Sequence, residues 1–163
     1  MKRDLMNLAG RTILAALFTV VIAGVSFAQV TKGGGGRLVG TWDAEVHITD
    51  CQTGNVSETF ASIASFNQGG TSVGSTSGRP QAARTPEHGV WRHIVGNRYE
   101  FKSKSFNFNA MGIATGYVVL RHEIELNESA DAYTSEGGVS IYLLNGTQVG
   151  SGCSTAIATR FDF

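Results

Sequence analysis

The side chains of this sequence with the means to do chemistry are four histidines, two cysteines and one serine in a glycine-framed run. Gly70-Thr71-Ser72-Val73-Gly74 has the G-x-S-x-G spacing of a nucleophile elbow. That device needs a strand before the serine and a helix after it. Here a weakly apolar strand leads into a proline-bearing loop, and the chain is too short for that hydrolase fold. Ser72 is therefore read as a strand residue, and no catalytic residue is assigned. A metal site needs ligands that converge on one point. His88 and His93 are separated by an odd number of residues, so within one strand they face opposite ways. His47 lies on the polar face of its strand. No metal and no cofactor are expected. His122 differs, since it shares a face with Val118, Leu120, Ile124 and Leu126. It reads either as a polar group inside a ligand cavity or as a histidine near a barrel mouth, half solvated or bonded to a neighbour. The second reading is preferred. No acidic residue shares its face, so acid–base work has no visible partner. Trp42, Phe66, Trp91, Phe101 and His122 are the candidate lining of an apolar pocket, although aromatics in a domain of this size more often fill a core.

The elements that position these residues follow a period of two. Leu38, Gly40, Trp42, Ala44, Val46 and Ile48 alternate with Arg37, Val39, Thr41, Asp43, Glu45 and His47, the pattern of a half-buried strand. Further strands are expected over 59–67, 71–76, 89–95, 98–108, 117–126, 132–144 and 147–161. Turn signals separate them, of which Asn145-Gly146 is the strongest. In the fifth, Tyr99 and Phe101 have one parity and Phe106 and Phe108 the other, which a bulge between the pairs would reconcile. Ser77 to Glu87 holds both prolines and is the longest loop. No segment after residue 28 has a sustained helical period. The fold class is therefore all-β: eight antiparallel up-and-down strands, closed into a barrel that removes exposed edges.

The amino terminus has the parts of a secretory signal. Lys2, Arg3 and Arg11 precede an apolar run that ends at Val25, and Ser26-Phe27-Ala28 puts small residues before Gln29. The run is shorter than a spanning helix needs, and no cysteine near the cut invites a lipid anchor. We read 1–28 as a signal peptide with its apolar helix, 29–36 as a flexible glycine-rich tether, and 37–163 as the barrel. The product is then exported, to a periplasm or to the outside. Residues 1–28 hold three of the 13 Lys/Arg and one of the 13 Asp/Glu, leaving 10 against 12. That balance offers no basic stripe, so nucleic acid is not an expected partner. In an exported chain Cys51 and Cys153 are expected to pair. Cys51 lies just past the top of strand one and Cys153 near the top of strand eight, so in a closed barrel their disulfide staples the seam. Asn55, Asn127 and Asn145 begin N-x-[ST] triplets, which matter only where the source glycosylates.

Gly40-Thr41-Trp42, opening the first strand, resembles the G-x-W motif of the lipocalin-like (calycin) barrels. In that group the tryptophan closes one barrel end and an arginine from the far end of the chain packs across it. The resemblance implies this role for Trp42 and Arg160. An eight-stranded barrel either fills with side chains or holds one small ligand. The functional expectation is an exported barrel that binds a small hydrophobic molecule. One alternative is an enzyme on a similar barrel, a cyclase or isomerase of the allene-oxide-cyclase or dirigent type. Another is a small outer-membrane barrel, suggested by the terminal Phe163. Membrane association is disfavoured by the weak hydrophobicity of strands three and eight and by the want of aromatic girdles.

Overall fold

Alternating apolar and polar residues become eight strands in the computed structural model, which describes residues 34–163. The expected signal peptide and residues 29–33 of the expected tether lie outside the described residues. The strands are β1 (Gly40–Thr49), β2 (Val56–Asn67), β3 (Thr71–Thr76), β4 (Glu87–Val95), β5 (Arg98–Phe108), β6 (Ala114–Leu126), β7 (Ala132–Leu143) and β8 (Gln148–Arg160). Each pairs antiparallel with the next, and β8 returns to pair with β1, so the sheet is a closed barrel. The first residues depart from expectation. Glycines 34–36 are the start of a 3-10 turn, Gly34–Leu38, that also takes in Arg37. Leu38 is fully buried there rather than lying on a strand face.

The seam is stapled. Thr49 pairs with Cys153 at the last rung between β1 and β8, and Cys51 just beyond it is bonded to Cys153. The linked residues stand 102 positions apart, so the crosslink spans nearly the whole barrel.

One barrel end is closed by bulk. Trp42, Phe66, Tyr99, Ile124, Leu126 and Tyr133 are all buried where odd strands begin or even strands end. Trp42 meets Tyr133 edge-on at 4.9 Å between ring centres, and its Nε1 donates to the Leu38 carbonyl at 3.0 Å. Arg160 is the rung partner of Trp42, and its guanidinium lies 4.3 Å above the indole. It donates to three carbonyls, those of Ala130, Val39 and Arg37, at 2.8–2.9 Å. A cation held over a desolvated indole contributes about 2 kcal/mol. Gly40 makes this possible. Its φ is +140°, and a Cβ there would run into the Arg160 guanidinium.

In β5 no bulge separates the two aromatic pairs. Tyr99, Phe101, Ser103 and Ser105 continue inward on one parity, while Phe106 points outward with 43% of its surface exposed. Outside, Lys104 lies over the Phe106 and Tyr117 rings. The register shifts instead between Asn107 and Phe108. That shift turns Phe108 back toward the interior, where it lines the cavity described below.

The outer face carries charged side chains among exposed aliphatic ones such as Ile63, Val90, Ile94 and Ile157. Glu45, Arg92, Arg98, Lys102, Arg121, Glu123 and Glu125 are outward residues, and Arg92–Glu100 and Arg98–Glu123 form ion pairs across neighbouring strands.

Candidate functional site

Above the bulky end the inner side chains become small. Ser62 and Ala64 of β2, Ser72 and Gly74 of β3, Ser103 of β5, Ser135 of β7, and Gly152, Ser154 and Ala156 of β8 all line one interior cavity of about 500 Å³. Apolar side chains complete the wall, among them Val46, Ile48, Phe60, Phe66, Phe101, Val118 and Leu120. This volume lies within the range of ordinary small-molecule sites. The cavity reaches toward the end of the barrel opposite Trp42. There Glu58 and the β3–β4 connection, through Gly78, Arg79, Ala83 and Arg84, contribute to its lining.

His122 is the polar centre of the wall. It is neither at the mouth nor half solvated, being only 3% exposed. Its Nδ1 lies 3.1 Å from Ser135 Oγ and its Nε2 lies 2.8 Å from Ser154 Oγ. A neutral imidazole has one donor and one acceptor nitrogen, so one serine receives a proton and the other gives one. Burial pushes the imidazole pKa down to about 4. The Phe101 ring is tilted against it at 5.4 Å, and β7 passes behind it at Gly137. A Cβ on Gly137 would collide with the Arg121 carbonyl and with the His122 Cα and ring. The glycine therefore sets how closely β7 approaches the histidine.

A second polar group sits toward the open end. Ser103 Oγ donates to Glu87 Oε2 at 2.7 Å, and Arg84 Nε donates to Ser105 Oγ at 2.7 Å. Ser103 and Ser105 are 3% and 1% exposed, so both charged side chains are anchored on buried hydroxyls. Tyr133 is also buried and faces the cavity. Burial, with the Glu87 charge as a smaller cause, raises its phenol pKa and keeps it neutral.

Of the five candidate lining residues, Phe66, Phe101 and His122 line the cavity, and Trp42 and Trp91 do not. Trp42 is spent on the closed end. Trp91 packs edge-on against Phe66 at 6.2 Å, and its Nε1 donates to the carbonyls of Asn67 and Thr71. Sequence reasoning passed over Ser103, Ser105, Ser135, Ser154, Tyr133, Arg84 and Glu87. The serines and Tyr133 share the inner parity of their strands, a signal present in the sequence. Arg84 belongs to an irregular loop and had no such signal. Ser72 is a buried wall residue at the second position of β3, and the chain continues past it as strand to Thr76, with no α-helix following among the described residues.

Ser154, His122 and Ser135 have the order of nucleophile, base and orienting group. An imidazole held at about 4 is a poor base at neutral pH. With both ring nitrogens bonded to serines, the arrangement is a self-satisfied polar cluster in the wall rather than an activated serine.

The sequence matches no protein-family model and no curated protein. The fold defines the class: an eight-stranded, closed, antiparallel up-and-down barrel, consistent with a lipocalin-like architecture.

Proposed function

We propose that this protein is an exported, lipocalin-like barrel that binds one small, largely apolar molecule in its interior. The observation that carries the reading is the roughly 500 Å³ cavity, walled by aliphatic and aromatic side chains around one histidine–serine cluster. Apolar lining with few convergent polar groups is the general form of a small-molecule site. The Cys51–Cys153 bond supports an oxidising compartment. The charged residues and cross-strand ion pairs on the outer face favour a barrel surrounded by water over one surrounded by lipid. The low pKa of His122 weighs against the cyclase or isomerase alternative.

Gly152 provides the test. It lines the cavity, and a Cβ there meets nothing within 4 Å. Gly152→Phe should fill the space at little cost to folding. We expect the wild-type protein to bind an apolar fluorescent probe such as anilinonaphthalene sulfonate in the micromolar range. The variant should bind it at least about ten-fold more weakly with a similar melting temperature. Probe binding that ignores the substitution would overturn the proposal.

A further inference from the structure

The β3–β4 connection returns to the barrel at its open end and delivers an arginine to the cavity. It is firmly tied down on both sides. Ser77 N donates to the Ala61 carbonyl at 2.8 Å, and Thr85 N donates to the Phe106 carbonyl at 3.0 Å. Arg84 itself forms a backbone bridge with Asn107. Its Nε is fixed on the Ser105 hydroxyl, a group that is almost fully buried. The two terminal nitrogens of its guanidinium have no hydrogen-bond partner among the described residues. No ion pair among those residues includes Arg84. Glu87 is close enough to favour the positive charge, but it bonds Ser103 instead. A second guanidinium, Arg79, lines the same mouth. Burial is the largest influence on Arg84 and disfavours its charge. A guanidinium is a planar fork that matches a carboxylate with two parallel hydrogen bonds. Here that fork is oriented by one bond, partly desolvated and otherwise unoccupied, at the rim of an apolar chamber.

We infer that the molecule held in the cavity is an amphipathic carboxylate, with its anionic head on Arg84 at the open end and its apolar body between Phe60, Phe66 and Phe101. The inference rests on the proposed binding function and names the chemical class of the ligand. Its apolar body extends inward toward the His122 cluster.

Decanoate, decan-1-ol and decylamine share a chain length and differ in their heads, so their dissociation constants at neutral pH separate the contributions. Wild-type protein should hold decanoate at least about ten-fold more tightly than decan-1-ol, the scale of a charge-assisted hydrogen bond. Arg84→Gln should bring the two constants together, and Arg84→Lys should keep most of the preference. Circular dichroism would establish that both variants are folded. Equal affinity for acid and alcohol in the wild type would overturn the anionic head and leave the cavity reading standing. So would a preference that survives Arg84→Gln. Tighter binding of decylamine would point to Glu87 and also overturn it. Failure of all three ligands to bind would remove both proposals together.

Discussion

His122 should make the barrel acid-sensitive in a defined pH window. Its imidazole is 3% exposed and bonded to two serines, and burial lowers its pKa to about 4 from the ordinary 6.5. Between those values the unfolded chain takes up a proton that the folded barrel refuses. The unfolded state then binds more protons, so stability falls as pH falls. The loss begins near pH 6.5 and is complete below about pH 4. At about 1.4 kcal/mol for each pH unit, the gap amounts to about 3 kcal/mol. About 2 kcal/mol of that should be gone between pH 7 and pH 4.5. Asp50 and Asp131 have carboxyl groups held below their usual range by local hydrogen bonds. Their stabilisation is present above the unfolded carboxylate pKa and fades below it, outside this window. Urea unfolding at both pH values, on wild type and on His122→Asn, isolates the histidine because other groups are common to both proteins. Asparagine keeps a donor and an acceptor for the two serines. The wild type should lose about 2 kcal/mol more than the variant. Equal losses would refute the reasoning, as would His122 ring resonances that titrate near 6.5.

The disulfide and the close strand approach give two further outcomes. Cys51→Ser removes a crosslink across 102 positions. It should cost about 3–4 kcal/mol and lower Tm by about 10 °C or more in a thermal melt; a Tm within about 3 °C of wild type would argue against the staple. Gly137→Ala places a methyl group against the Arg121 carbonyl and the His122 ring. It should destabilise by about 2 kcal/mol or more in urea, and it should shift the His122 ring resonances, which a distant effect would leave in place.

The architecture was legible because the signals that fix it are local. Strand β3 runs over Thr71–Thr76 and β5 over Arg98–Phe108, as the turn residues around them required. Strand count alone then brought Cys51 and Cys153 to one seam. Where the reading failed, a tertiary choice overrode a local one. Phe106 looked like a core residue displaced by a bulge, yet the aromatic sits outside with Lys104 over its ring. Trp42 looked like a pocket residue and also, through the G-x-W resemblance, like the closure of one barrel end with Arg160; the second role is the one it has. Trp91 looked like a pocket residue and instead packs against the closed-end core. Arg84 was out of reach, since loop geometry carries no period and its anchor, Ser105, is distant in sequence.

The hollow itself was written in the sequence, in residues that attract little attention. Weak hydrophobicity in β3 and β8 was taken only as evidence against a membrane barrel. The inner positions of those strands are Ser72 and Gly74, then Gly152, Ser154, Ala156 and Ala158. A closed sheet of eight strands has a fixed bore, so what fills it depends on side-chain volume. At the closed end Trp42, Phe66, Tyr99 and Tyr133 are large enough to fill that bore. One layer further in, serine, alanine and glycine are too small, and the space between them cannot collapse because the strand ladders hold the wall apart. A sequence that needed only stability would place leucine or valine at Ser154 and Ala156, where each buried methylene would contribute about 0.8 kcal/mol. Keeping these positions small forgoes that stabilisation, and the volume it leaves is the one feature of the barrel that serves a bound molecule better than it serves the fold.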